Sequence, residues 1–448
     1  MKPIVARFAW TTLYTVSGLG YWVRRRFTAP GMLLLTALWT GAIFGIDTER
    51  SMTYQVFTLL LAVLACALPF AWRFRPQLAL QREAPRLATA GEPFGYRVLV
   101  RNPADAPQRG LLLRDELADP RPRYAQFKAA VDAEWSALRR PTLFDLWRRL
   151  VAHNGDAVSE ERALPELPAR STVELRPELT PQRRGVLRFE RLTVARPDPF
   201  NLIKACAGFR AAGSVLVLPK CYRLPPLALP GVRRYQHGGV ALATSVGDSE
   251  EFVSLRDYRP GDPPQRVHWK SFARVGHPVV KEYQDEFFER HALALDTFAR
   301  GRSGRAFEEA VAVAASFVAA VDTRECLLDL LFVGREAYSF TTGRGQLQAQ
   351  QVLEVLAAVT PGGAGAFQAL AECMLASRAQ LSSAILVLLD WDDARKSLAE
   401  RLRASGLPLR VLLVHERPEA LDARAPWITV LEPGRVERGL AGLGRQTT

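Results

Sequence analysis

The chain has 448 residues, a formal net charge of +13 and a hydrophobic share of 48%. At roughly 100–200 residues per domain the length implies two or three folded units, and the apolar share excludes wholesale disorder. The positive charge suits anionic lipid, nucleic acid or an acidic protein without choosing among them.

Residues 1–26 form a moderately apolar segment without a signal-type cleavage site, expected to be retained at the cytoplasmic or interfacial side. Residues 27–46, FTAPGMLLLTALWTGAIFGI, and 51–72, SMTYQVFTLLLAVLACALPFAW, carry no charged side chain, and only DTER separates them. At about 1.5 Å per residue each is long enough for a hydrocarbon core of about 30 Å, so 27–76 is expected to be a transmembrane helical hairpin. Lys2, Arg7, Arg24, Arg25 and Arg26 precede it, and Arg73, Arg75, Arg82 and Arg86 follow it. The positive-inside rule then places both termini and the main domains on the cytoplasmic side. Trp22, Trp39 and Trp72 fall partly where interfacial anchors would. Cys66, Cys206, Cys221, Cys326 and Cys373 form no CxxC pair, so neither a zinc site nor a disulfide framework is indicated.

Residues 77–230 alternate in short runs such as YRVLVRN (96–102), GLLLRDEL (110–117), STVELRPEL (171–179) and SVLVLP (214–219). With turn signals at Asn102-Pro103, Asp119-Pro120 and Asp198-Pro199, this predicts an antiparallel β-sandwich. Residues 123–153 interrupt it with helical spacing at Phe127, Val131, Trp135 and Leu138, then Leu143, Leu146 and Leu150. Such an Arg-bearing insertion either lies on the lipid surface or packs against the sandwich.

A major boundary is expected near residue 231, and 231–289 are assigned to a linker and a dense polar stretch. That stretch, LRDYRPGDPPQRVHWKSFARVGHPVVKEY (255–283), holds Arg256, Tyr258, Gly261, Asp262, Arg266, His268, Trp269, Lys270 and Arg274. Arg259-Pro260-Gly261-Asp262 predicts a tight turn, followed by extended chain through RVHWK and HPVVKEY. Arg256 or Arg266 can fork onto Asp262 and lock loop to strand. Acid–base work by His268 with Asp262 has the residue types but no visible nucleophile. Acids balance the bases, which argues against a nucleic-acid platform.

From residue 290 to 448 continuous apolar strands alternate with amphipathic helices, the pattern of an open α/β domain with a parallel sheet. Asp296 and Asp390 close two of the strands, the ends where functional residues collect. With Asp392, Asp393, Thr341 and Thr342 they are oxygen donors of the type Mg²⁺ requires, and the plainer alternative is that Asp296 and Asp390 cap the following helices. GxxxxGK[ST], GxSxG, HExxH and a GxGxxG that opens a helix after a strand are all absent, and the six histidines lack metal-ligand spacing.

LRDYRPGDPPQRVHWKSFAR followed by VVKEY resembles the signature of the bacterial membrane family called domain of unknown function 58. PQRRGVLRFERLTVARPDPFNL (181–202) is similar to that family's Arg-Arg-Gly and Asp-Pro-Phe-Gly-Leu segments, with Asn201 in place of the usual Gly, which should alter a turn and leave the fold. The resemblance extends to the amino-terminal hairpin and implies a bacterial inner (cytoplasmic) membrane and a cytoplasmic module similar to a von Willebrand factor A (Rossmann-like) domain, which with the elements above gives a multidomain chain of transmembrane hairpin, β-sandwich with helical insertion and α/β domain. It also implies a protein partner, a MoxR-type AAA+ ATPase, a role in interaction or assembly, and no established enzymatic activity. Where such domains bind a divalent ion they usually begin Asp-X-Ser-X-Ser. Here the chain reads Asp296-Thr297-Phe298-Ala299-Arg300. Asp296, Thr341 and Asp390 are therefore expected to form a degenerate metal site. The overall expectation is a membrane-anchored adaptor, not an enzyme and without a cofactor. The alternative is an enzyme or a divalent-metal-dependent binding protein.

Overall fold

The computed structural model describes residues 3–44, 51–136, 142–225, 251–262, 264–284, 289–298, 304–320, 326–333, 337–342, 346–362, 366–416 and 425–445. The chain divides into two compact units, Met1–Lys220 and Cys221–Thr448. The boundary expected near residue 231, with most of the linker, falls at 226–250, outside the described residues.

The first unit opens with three helices, α1 (Pro3–Arg26), α2 (Ala29–Phe44) and α3 (Ser51–Arg73). α2 and α3 pair through Leu34, Leu38 and Ala67 with Phe57, Leu60 and Val63, and Gly41 lets the Phe57 ring approach. Their remaining apolar side chains, including Leu33, Trp39, Leu59 and Trp72, are exposed. Tyr54–Arg73 is long and apolar enough to cross a membrane, while Ala29–Ile43 is apolar but shorter.

Ten strands follow: β1 (Ala79–Glu83), β2 (Leu87–Thr89), β3 (Phe94–Gly95), β4 (Arg97–Arg101), β5 (Leu112–Leu117), β6 (Arg162–Ala163), β7 (Thr172–Leu175), β8 (Glu178–Leu179), β9 (Gly185–Pro197) and β10 (Lys204–Leu218). They form sheets ordered β1-β4-β7 and β2-β10-β9-β5-β6, with the pair β3-β8, in a sandwich-like arrangement. Alternating residues turn Val98, Val100, Leu187, Phe189, Val215 and Val217 into one core, as period-two strands require. Within it Asp115 accepts from both Arg82 and the Tyr96 hydroxyl, and burial with the adjacent carboxylate pushes the Tyr96 phenol well above its ordinary value.

The insertion is two helices, α4 (Tyr124–Ser136) and α5 (Leu143–Asn154), the latter capped by Thr142, whose hydroxyl accepts from Asp145 N at 3.1 Å. Their buried Phe127, Val131, Leu146 and Trp147 pack on Trp10, Leu13 and Tyr14 of α1. Neither sandwich nor lipid is needed to cover that stripe, because α1 supplies side chains at i, i+3 and i+4 on one face. Trp10 Nε1 donates to Pro122 O at 3.0 Å and the Arg121 guanidinium lies 4.0 Å from the Tyr14 ring centre.

The Asp198–Leu202 turn seats α2 on the β layer. Asp198 accepts from Leu202 N at 2.9 Å and Ile203 N at 3.2 Å, and Asn201 takes the left-handed conformation at φ 54°. Asn tolerates that region better than other non-glycine residues, so the turn survives its substitution for Gly. Thr28 N donates to Leu202 O at 3.1 Å, and a Cβ on Gly31 would stand 2.0 Å from that same carbonyl.

The second unit contains the hairpin β11 (Glu251–Asp257) and β12 (Val279–Gln284), with a single 3-10 turn at Pro264–Arg266 and the short helix α6 (Trp269–Val275) between them. The expected extended path through Trp269 and Lys270 is therefore corrected to a helix. Residues 269–275 contain no proline, and Gly276 at φ 81° closes the helix by donating to Phe272 O at 2.9 Å.

Beyond it run β13 (Glu289–Leu295), α7 (Gly304–Ala320), β14 (Cys326–Val333), β15 (Ala337–Thr342), α8 (Gln346–Ala358), α9 (Ala366–Ser377), β16 (Ser383–Leu388), α10 (Asp393–Ala404), β17 (Leu409–Val414), β18 (Ile428–Leu431) and α11 (Val436–Ala441). Among the described residues the sheet order is β15-β14-β13-β16-β17-β18, all parallel except the edge strand β15. Leu293 and Leu295 face α7 and α8, whereas Ala292 and Ala294 face α9 and α10, so helices cover both faces.

Candidate functional site

Sheet connections diverge at β13, whose neighbours β14 and β16 carry the chain away in opposite directions. This is the topological switch point of an open α/β sheet, where a crevice forms beyond the strands' carboxyl ends. Asp296 and Asp390 lie just past the ends of these adjacent strands, so the expected convergence of position is present.

The chemistry there differs from either expectation. Asp296 is fully buried; its carboxylate accepts from Phe298 N at 3.0 Å, Leu389 N at 3.1 Å and Arg395 Nε at 2.7 Å. Arg395, also buried, donates from a second nitrogen to Asp392 at 2.7 Å and stacks 4.6 Å from the Phe367 ring centre. Burial alone would lower the Arg395 pKa, but hydrogen bonds and charge from Asp296 and Asp392 outweigh it and hold the pKa above its ordinary value. Asp390 accepts from Trp391 N at 2.8 Å, and it is Asp392 that caps α10, accepting from Arg395 N at 3.1 Å. Neither Asp296 nor Asp390 is thus a helix cap. Thr341 pairs opposite Asp329 in the ladder with Thr342 beside it, and their side chains lie outside the described residues, as does Arg300.

These donors do not fit a divalent ion at Asp296. A guanidinium already neutralises the carboxylate, and backbone N–H groups occupy two more of its accepting positions. Among the described residues no group of three or more His, Cys, Asp or Glu could hold a metal ion.

In the signature hairpin the structure joins Arg256 to Asp262. Two parallel bonds of 2.7 Å form the fork, and Arg259 N donates to the same carboxylate at 2.9 Å. The Arg256 bonds first, then the Arg259 amide, pull the Asp262 carboxyl down to about 2. Asp262 N closes the turn on Arg259 O at 3.0 Å with Gly261 at φ 109°, the position where a type II turn demands glycine. Arg266 ends the 3-10 turn, and its side chain is outside the described residues. His268 does not meet Asp262; its Nδ1 lies 2.6 Å from Ser271 Oγ at the start of α6.

Helix α6 buries no side chain. Trp269 is 64% exposed, Val275 53% and Phe272 37%, and the Trp269 and Phe272 rings meet edge to face at 6.0 Å. Leu255 on β11 and Tyr258 just past its end are exposed as well, with Lys270 and Arg274 on α6. Phe272, Val275 and Arg395 are participants that inspection of motifs misses. Arg395 carried one signal: a cation in the first turn of a helix opposes the helix dipole and calls for a local anion.

The class so defined is an open α/β unit with an ion-paired switch point and an exposed aromatic hairpin, in one chain with a β unit bearing apolar helices. Residues 254–425 match the family described as Protein of unknown function DUF58. The chain is 29% identical over 182 residues to a Bacillus subtilis (strain 168) relative described as Uncharacterized protein YeaD. That match covers 40% of this chain and 44% of the relative, so it spans less than half of either. Among solved structures, manganese-loaded Plasmodium vivax TRAP protein is similar at TM-score 0.27 and 10% identity, over 35% of this chain and 73% of that one. A CARDB domain from Pyrococcus furiosus, in complex with di-metal ions, is similar at TM-score 0.19 and 14% identity, over 32% and 89%. Likenesses of that size carry no argument about this chain.

Proposed function

We propose that the protein is a membrane-anchored adaptor whose second unit is von Willebrand factor A-like and docks a protein partner at the cytoplasmic face. The partner that the family resemblance suggests is a MoxR-type AAA+ ATPase, acting in assembly or maturation of an envelope complex. The observation that carries this reading is the uncovered apolar face of α6, with Trp269, Phe272 and Val275 exposed on a helix that buries nothing. Such a patch beside Tyr258, Lys270 and Arg274 has the composition of interface hot spots, in which Trp, Tyr and Arg dominate. The strand order with one antiparallel edge strand supports the von Willebrand factor A-like assignment. Engagement of Asp296 by Arg395 and of Asp262 by Arg256 favours a binding role over catalysis. Membrane attachment is supported by Tyr54–Arg73, and the cytoplasmic side by the arginines that flank the apolar helices.

Cross-linking of the full chain in its native membranes, with partners identified by mass spectrometry, tests the proposal. Wild-type protein is expected to yield an AAA+ ATPase, and a Trp269→Ala/Phe272→Ala variant with an unchanged unfolding midpoint is expected to lose it. Equal recovery by both proteins, or an ATPase absent from the wild-type sample, rejects the adaptor reading.

A further inference from the structure

The helical layer of the first unit holds a cavity that the adaptor reading does not use. Between α1 and α5 lies a space of about 750 Å³, bounded by Gly20, Tyr21 and Arg24 on one helix and Phe144, Trp147 and Arg148 on the other. That is the size range of small-molecule sites, roughly 300–1,000 Å³.

Its walls combine three features. Arg24 and Arg148 are exposed and, among the described residues, take part in no ion pair; Arg149, also on the lining, is bound to Glu134 at 3.0 Å. The one acid on the lining, Asp145, is engaged by Thr142, whose hydroxyl donates to it at 2.5 Å. Trp147 is 3% exposed, and its buried indole N–H has no acceptor among the described residues. A buried donor left unpaired is costly, and a ligand oxygen would relieve it.

The position of the cavity selects among anions. Arg24 stands in the last turn of α1 with Arg25 and Arg26, directly before the chain enters α2 and the apolar hairpin. Phe144 on the cavity wall is 57% exposed, and along α1 Ile4, Phe8, Val16, Leu19 and Trp22 are exposed too. Exposed apolar side chains with arginines beside an apolar helix pair have the composition of a membrane-interfacial surface.

We propose that the cavity binds the headgroup of an anionic phospholipid. Arg24 and Arg148 take the phosphodiester, the Trp147 N–H donates to a phosphate or ester oxygen, and the acyl chains run over Tyr21 and Phe144 toward the bilayer. The proposal rests on the membrane-anchored reading for the source of the ligand.

The test is calorimetric titration of the detergent-solubilised full chain with dioctanoyl-phosphatidylglycerol, dioctanoyl-phosphatidylcholine and inorganic phosphate. Saturable binding of the phosphatidylglycerol is expected, weakened roughly tenfold or more in Arg24→Gln/Arg148→Gln. Trp147→Phe keeps the ring packing and removes the unpaired donor, so it is expected to bind several times more weakly while unfolding at the same or a higher temperature. Phosphatidylcholine or phosphate binding as tightly as phosphatidylglycerol, or wild-type affinity in the double Arg variant, overturns the site. Alkaline extraction of cell membranes is a separate measurement: release of the chain would refute anchoring and leave the titration to judge the cavity.

Discussion

Replacing Arg395 with Met keeps most of the buried stem and deletes the cation, leaving Asp296 as a charge with no exposed surface. Among the described residues the carboxylate then retains Phe298 N at 3.0 Å and Leu389 N at 3.1 Å. Removing one partner of a buried ion pair costs about 3–5 kcal/mol. For a unit of this size each kcal/mol lowers the midpoint by roughly 2–4 °C, so a fall of about 6–20 °C is expected. The double variant Asp296→Asn/Arg395→Met removes both charges and should recover most of the loss, because the penalty comes from the orphaned carboxylate. Thermal unfolding of the full chain in detergent supplies the midpoint, and hydrogen exchange across β13 and β16 assigns the loss to the switch point. The reasoning fails if Arg395→Met unfolds like wild type, or if the double variant is no better than the single. A chelator that lowers the wild-type midpoint, with Mg²⁺ restoring it, would return Asp296 to metal binding.

Two further outcomes follow from local geometry. Asp262, drawn from its ordinary 3.8 down to about 2, stabilises the hairpin fully above the ordinary value and loses that contribution as pH falls through about 2. Protection factors of β11 and β12, corrected for intrinsic exchange at each pH, should therefore fall in wild type between those values, while in Asp262→Asn they should already be low at neutral pH and flat across the same window. At the base of the apolar hairpin, Asn201→Gly should be within roughly 1 kcal/mol of wild type, because glycine adopts the left-handed region without strain. Gly31→Ala should loosen the Asp198–Leu202 turn in hydrogen exchange, since its Cβ would stand 2.0 Å from Leu202 O with only backbone to yield.

Legibility in the sequence tracked the range of the interaction. Apolar periodicity exposed the α/β alternation and the two insertion helices, because burial on a sheet or helix face repeats at a fixed period. Local chemistry was equally readable where donor and acceptor lie a few residues apart: Arg259-Pro260-Gly261-Asp262 is the turn its residues specify, and Arg256 is the Arg that forks onto Asp262. Reading failed where either of two outcomes satisfied the same local rule. Trp269–Val275 fits a strand by β-propensity and a helix by its glycine stop, and the helix forms. For the insertion, both a bilayer and the sandwich could cover the Phe127–Trp147 stripe; α1, more than a hundred residues earlier, does so.

The switch point shows the same limit in chemical form. An aspartate at the end of a buried parallel strand requires a counter-charge, and the strand end alone does not state whether a divalent ion or a side chain supplies it. Here the answer lies 99 residues away in Arg395, held at the start of α10 by the cap Asp392. Asp392 therefore has two tasks, since the carboxylate that accepts Arg395 N also fixes the guanidinium that reaches Asp296. That coupling ties the helix start to the strand end by fixed charges of the chain itself. With the central pair internally neutralised, the partner we propose would have to be recognised on exposed surfaces, and among the described residues of this unit α6 offers the most concentrated apolar one.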